Sequence, residues 1–138
     1  MPAPTLALLT SDDDWRLLRT AWGVAAVDWL CASTPTQLLA AASEHEVDGV
    51  VVSAELLPHP VAYGVLAALA KGLPDIQRSM LCDAPRDRWL RPTASQGEAA
   101  IDVIVVRDTL RGPYAGSVDW QAVLTTPAMR ERPYRRLH

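Results

Sequence analysis

Three consecutive aspartates, Asp12 to Asp14, are the first side chains along the sequence that could do chemistry. They follow an apolar run and admit two interpretations. A cluster of carboxylates can hold a divalent cation, whereas acids in the first turn of a helix complement the helix dipole. The second interpretation is favoured because Ser11 precedes them as a helix N-cap, with Asp14 at the capping-box position.

A hydroxyl at Ser53 and a carboxylate at Glu55 end the apolar run "GVVVS" and the turn after it. A serine becomes nucleophilic only beside a base, and no histidine is placed for that role at the end of an apolar run. Ser53 is therefore interpreted as a structural serine that satisfies loop amides. Glu55 is interpreted as a surface carboxylate.

Cys82 and Arg107 end two later apolar runs. A thiol near cations has a lowered pKa and is reactive, but a buried, inert thiol is the favoured interpretation of Cys82. An arginine at a strand end can grip an anion with two N–H groups. For Arg107 the favoured interpretation is a salt bridge to Asp83 or Asp108.

The composition indicates a globular domain and excludes several classes of protein. The chain has 138 residues, 49% of them hydrophobic, and a net charge of −3, which argues against wholesale nucleic-acid binding. Two cysteines and the absence of a Gly-rich phosphate loop, HExxH, GxSxG or CxxC exclude the corresponding metal, nucleotide and hydrolase motifs. With no signal peptide or long apolar stretch, we expect a cytoplasmic protein. Twelve arginines against one lysine, with many alanines, suggest a bacterial source.

Strand-like and helix-like segments alternate and would position these side chains. Apolar runs predict five strands, at 5–9, 24–32, 49–53, 77–82 and 101–106. Helices are predicted after Ser11, after Thr34 with Pro35 at its first position, and from Pro60 to Gly72. Residues 83–100 are irregular, 107–116 read as a loop, and Ser117 is expected to cap a short last helix. Residues 1–126 form the predicted domain and 127–138 a Pro/Arg-rich extended tail.

Five apolar strands separated by helices predict an α/β fold with a parallel sheet covered on both faces. At this size we expect the flavodoxin-like order 2-1-3-4-5, with an irregular fourth helix and a short fifth one. In that fold, ligands and chemistry lie beyond the carboxyl ends of the strands, where the side chains discussed above are placed.

The chain resembles the receiver domain of two-component response regulators over roughly residues 5–124. The resemblance rests on "WRLL" after strand one, "DGVVVSAELLP" at strand three and "GEAAIDVIVVR" before the end of strand five. Receivers typically carry an acidic pair after strand one, a phosphoacceptor aspartate after strand three, Thr or Ser after strand four and Lys-Pro after strand five. Carboxylates there hold Mg²⁺, and the aspartate attacks the phosphoryl group.

Each of these positions departs from the receiver pattern. The resemblance places Thr10 and Ser11 at the acidic pair, Ser53 at the phosphoacceptor, Cys82 at the Thr/Ser position and Arg107 at the lysine. We therefore expect a pseudo-receiver without aspartyl phosphorylation, catalytic activity, cofactor or bound metal. Two alternatives stay open. One is a phosphorylated receiver with a shifted acidic site built from Asp12, Asp13 and either Glu55 or Ser53, and the other is a small flavodoxin-like ligand-binding protein.

A protein partner or self-association is expected instead. Receivers signal through the surface of their fourth helix, fifth strand and fifth helix, where Trp89, Tyr114 and Trp120 are candidate interface anchors. The alternative for Trp89 and Trp120 is packing on the sheet. A short fifth helix would leave apolar sheet surface open to a partner. No membrane contact is expected, and the four arginines of the tail are too few for strong nucleic-acid binding.

Overall fold

One parallel sheet forms the centre of the protein. The computed structural model describes residues 3–23, 27–54, 56–73, 75–83 and 101–125. Within them five strands pair in the order β2-β1-β3-β4-β5, which confirms the predicted flavodoxin-like arrangement. The strands are β1 (Thr5–Leu9), β2 (Asp28–Cys31), β3 (Gly49–Ser53), β4 (Gln77–Cys82) and β5 (Val103–Val106).

The central strands match the predicted bounds and the edge strands are shorter. Every residue of β3 is buried, as expected for a β-branched run covered on both faces. At one edge β2 begins at Asp28, and residues 24–26 of its predicted range lie outside the described residues. At the other edge β5 begins two residues later than predicted. There the Asp102 carboxylate accepts from the backbone N–H of Arg78 at 2.9 Å and closes the start of the ladder.

The first two helices begin where their capping residues predict, and the third begins at His59, one residue before the predicted Pro60. Ser11 Oγ accepts from the N–H of Asp14, and Thr34 Oγ1 accepts from the N–H of Gln37. Gly23, which has a positive φ, ends the first helix. The helices are α1 (Asp12–Trp22), α2 (Pro35–Glu44), α3 (His59–Gly72), α4 (Arg107–Arg111) and α5 (Trp120–Leu124), with a 3-10 turn at Ala115–Ser117.

The segment after β5 differs from its prediction as a loop. It forms α4, closed by the N–H of Gly112 on the carbonyl of Asp108, and then the 3-10 turn. Ser117 does not cap the last helix, because it lies in the 3-10 turn and the helix begins three residues later, at Trp120. The cap is Asp119, whose carboxylate accepts from Ala122 at 3.2 Å.

Two hydrophobic cores cover the sheet, with α2 and α3 on one face and α1, α4 and α5 on the other. Trp120 is buried in the second core and donates to the carbonyl of Ala115 at 2.8 Å. Trp120 and Leu124 cover this face, so the short α5 does not leave it open as predicted. Gly49 begins β3 at a point where a Cβ would collide with the carbonyl of Leu124.

Several predictions fall outside the described residues. They concern Glu55, Trp89, the irregular fourth helix between β4 and β5, and the tail at 127–138. Among the residues that are described, no helix has the length and apolar character needed to cross a membrane.

Candidate functional site

The carboxyl ends of β1, β3, β4 and β5 open into a crevice at one edge of the sheet. Its volume is about 400 Å³, and polar and charged side chains from α1, α4 and the ends of β3 and β4 line it. Those that matter for its chemistry are Asp13, Asp14, Ser53, Asp83, Arg107 and Arg111. This is where open α/β sheets place their functional groups.

Arg107, the first residue of α4, lies at the centre of the crevice. Its Nε and Nη2 donate to the two carboxylate oxygens of Asp14 at 2.8 and 2.9 Å, which is a bidentate pair. Its Nη1 lies 3.2 Å from the carboxylate of Asp83, and its Nη2 also approaches the carbonyl of Ala54 at 3.4 Å. One guanidinium thus connects α1 with the ends of β3 and β4.

Asp14 is the buried anion of this pair. Its side chain is 5% exposed and that of Arg107 is 11% exposed. The hydroxyl of Ser53 donates to Asp14 Oδ2 at 2.6 Å. Burial on its own raises the pKa of Asp14, but hydrogen bonds from Arg107 and Ser53 and the charge of Arg107 outweigh it, so the pKa of Asp14 is lowered.

The arrangement is suited to holding loops together and not to nucleophilic catalysis. Asp14 is the group bonded to Ser53, and a carboxylate with a lowered pKa is too weak a base to activate a hydroxyl. Ser53 is also buried, and its proton is committed to that bond. The crevice therefore contains a polar cluster in which Asp14, Ser53 and Arg107 are bonded to one another, with Asp83 as a second carboxylate on the same guanidinium.

The structure brings some predicted site residues together and separates others. Ser11 and Ser53 line the crevice with Arg107, whereas Thr10 lines a neighbouring cavity. Cys82 is fully buried at the end of β4. Among the described residues, the Ser53 hydroxyl donates to Asp14, a side-chain partner that the interpretation from the sequence did not include.

The predicted partners of Arg107 are half right. Asp83 does pair with it, but Asp108 pairs with Arg111 at 3.3 Å in the same helix. The principal partner, Asp14, was missed by the sequence reasoning. Helical periodicity could have predicted that Asp14 points inward, since it lies on the same buried face of α1 as Leu18 and Ala21.

The residues of the alternative acidic site do not converge. Asp12 and Asp13 are exposed and line different cavities, Asp13 the crevice and Asp12 the neighbouring cavity, and Asp13 lies 3.8 Å from Arg16. Glu55, the third member, is outside the described residues. In the described part of the chain, no group of three or more His, Cys, Asp or Glu side chains is arranged to hold a metal ion.

Of the predicted interface residues that the structure describes, Tyr114 is exposed and Trp120 is buried. Tyr114 is 78% exposed, between the buried Leu110 and Ala115, which hold its segment against the second core. Trp120 is not an exposed anchor, because its ring packs under α1 and its Nε1 is bonded internally.

The fold of the chain matches solved receiver domains. A signal receiver domain of an HD domain-containing protein from Pseudomonas fluorescens Pf-5 matches with a TM-score of 0.61 and 20% identity, over 78% of each chain. A response regulator from Thermotoga maritima matches with a TM-score of 0.62 and 13% identity, over 85% of this chain and 100% of that one. This chain has the receiver fold.

A longer protein gives a similar match. The Salmonella typhimurium RcsB response regulator aligns with a TM-score of 0.61 and 11% identity, over 99% of this chain and 75% of that one. No protein-family model and no curated protein matches the sequence. The likeness to receivers is therefore one of fold, and the polar cluster of Asp14, Ser53, Asp83 and Arg107 is what this receiver fold carries at its carboxyl edge.

Proposed function

We propose that the chain is a non-catalytic, receiver-like signalling module that binds a protein partner and is not phosphorylated on an aspartate. The observation that carries this proposal is the bidentate ion pair between Arg107 and Asp14, with Ser53 bonded to the same carboxylate. A receiver needs carboxylates free to hold Mg²⁺ and an aspartate free to attack. In this chain the buried carboxylate of the crevice, Asp14, is already paired with Arg107, and Asp83 faces the same guanidinium.

Arg107 stands at the end of β5, where the receiver resemblance puts a lysine, and its guanidinium is bonded to the buried Asp14 carboxylate. A guanidinium delivers several N–H donors in a fixed plane and stays charged at all physiological pH values. Asp14 could bind a Mg²⁺ ion only by giving up both of these bonds.

Phosphorylation of a shifted acidic site is the weaker alternative. Asp12 and Asp13 face solvent at the start of α1, whereas the inward position is taken by Asp14. The two exposed acids favour the dipole interpretation made from the sequence.

Treatment with acetyl phosphate and Mg²⁺, followed by intact mass, tests the proposal. We expect no adduct of about 80 Da, the mass of one phosphoryl group. A receiver with the full acidic site, treated in the same tube, is the positive control. An adduct on this chain, lost in Asp13→Asn, would show that the shifted acidic site is functional and would overturn the proposal.

The exposed Tyr114 supports action through protein contact. Tyrosines are frequent among the residues that dominate interface energetics, and this one projects from a segment anchored on both sides. Affinity capture from the cells of origin compares the wild type with Tyr114→Phe and Tyr114→Ala. We expect a partner that is retained by the first variant and lost by the second; capture of no protein by the wild type contradicts this part of the proposal.

A further inference from the structure

A second cavity lies beside the crevice, over the carboxyl ends of β1 and β2. Its volume is about 410 Å³, within the size range of ligand sites. Its lining includes Asp12 and Trp15 of α1, Cys31 at the end of β2, and Leu56 after β3. We call it the β1–β2 groove. It shares Ser11 and Leu56 with the crevice.

The apolar walls of the groove are partly uncovered and partly pre-organised. Leu56 is 45% exposed, one of the few large hydrophobic side chains so exposed among the described residues. The Trp15 ring is held by Arg19, whose guanidinium carbon lies 4.3 Å from the ring centroid. An apolar side chain placed between Trp15 and Leu56 would cover both without first ordering the indole.

The charge of the groove selects against anions. Asp12 is the only charged side chain among the described residues that line it. Its neighbour Asp13 is exposed, whereas Asp14 is neutralised by Arg107. The thiol of Cys31 adds no negative charge at neutral pH, because partial burial and the charge of Asp12 raise its pKa. Phosphates and acidic peptides are therefore disfavoured, and a cation is favoured.

A polypeptide segment fits this combination of walls and charge better than a simple amine. It can place an apolar side chain on Trp15 and Leu56 and, from an adjacent residue, a cation at Asp12.

We propose that the β1–β2 groove binds a partner-protein segment that carries an apolar side chain next to a lysine or arginine. The apolar side chain packs between Trp15 and Leu56, and the basic group faces Asp12. The inference rests on the proposed function, because it adds a second binding surface, besides the segment of Tyr114, to a module that acts by protein contact.

A displayed library of random heptapeptides, selected on the full chain, tests this inference. We expect enrichment of peptides with Lys or Arg beside Leu, Ile, Met or an aromatic residue. Cys31 reports where they bind, because it is exposed and Cys82 is buried, so a thiol reagent reads Cys31 in the native protein. Synthetic copies of the enriched peptides should slow the reaction of Cys31.

Asp12→Asn and Asp108→Asn form a matched pair of variants. Both residues are exposed aspartates in the first turn of a helix, but only Asp12 lines the groove. We expect Asp12→Asn to weaken binding of the enriched peptides by about threefold to fivefold, the value of one exposed charge contact. Asp108→Asn should leave their affinity unchanged.

Three results would overturn the inference. They are enrichment of acidic peptides, enriched peptides that leave the rate at Cys31 unchanged, and protection of Cys31 that rises with protein concentration without peptide. The last would mean that a second copy of the chain fills the groove. A phosphoryl adduct, by contrast, would overturn the proposed function and leave the Cys31 result intact.

Discussion

Arg107→Met tests the buried ion pair directly. The substitution keeps an apolar stem and removes the two donors to Asp14 and the charge facing Asp83. Removing one partner of a buried pair costs about 3–5 kcal/mol, because the other charge stays buried without compensation. A domain of ordinary size has a free energy of unfolding of about 5–15 kcal/mol. The variant should therefore lose a large share of its stability.

Urea unfolding followed by tryptophan fluorescence measures this loss. Arg111→Met is the matched control, since Arg111 lies in the same short helix and pairs with the exposed Asp108. We expect the control to lose less than about 1 kcal/mol, as for other exposed pairs. Equal losses in the two variants would refute the view that the buried Arg107 pair stabilises the fold more than an exposed ion pair does.

The pH dependence of stability in Arg107→Met tests whether the lost stability comes from the charge of Asp14. In the wild type the pKa of Asp14 is lowered from 3.8, so the pair stabilises the fold above that value and is lost as pH falls through the folded-state pKa. In Arg107→Met, burial raises the pKa of Asp14, so protonation relieves the unpaired charge as pH falls. The stability gap between wild type and variant should narrow between about pH 7 and about pH 4. A constant gap contradicts the assignment to Asp14.

Three further predictions concern packing and capping, and urea midpoints measure all of them. Gly49→Ala should lower the free energy of unfolding by about 2 kcal/mol or more, because the new Cβ meets the backbone of α5 and a leucine methyl at 2.8 Å. Its control is Gly64→Ala in α3, which has open space around it and should be neutral or stabilising. Ser79→Ala should raise the free energy of unfolding by about 1 kcal/mol, since the Ser79 hydroxyl is fully buried with no partner among the described residues. A lower stability of the variant would mean that the hydroxyl has a partner outside them. Asp119→Ala should cost about 1 kcal/mol by removing the cap of α5, and an equal loss in Ser117→Ala would contradict that cap.

The sheet was predictable because its signals are local and strong. The run Val50–Val52 is apolar without interruption, and Thr34 with Pro35 marks a helix start through its own backbone chemistry. The short α4 carries weaker signals. Its first residue is held by contacts to Asp14 and Asp83, which are distant in sequence, so a reading of neighbouring residues could not reveal it.

The sequence predicted where the site residues lie but not which of them bond to each other. Sequence order put Ser53 and Arg107 at adjacent strand ends, and they do line one crevice. The carboxylate that Arg107 contacts is decided by which face of α1 packs on the sheet. Leu18 and Ala21 are buried on that face, and Asp14 shares it, whereas Asp12 and Asp13 are exposed.

The contact between Asp14 and Arg107 joins residues 93 positions apart. On a ribosome, the aspartate emerges while its arginine has yet to be made, and a chain stopped before β5 would have to bury that carboxylate without its cationic partner. Native docking of α1 must therefore wait until almost the entire domain has been synthesised. Contacts this distant are typical of slowly folding topologies, so nascent chains of this protein should spend longer exposed to chaperones and proteases than those of a helical bundle of equal length.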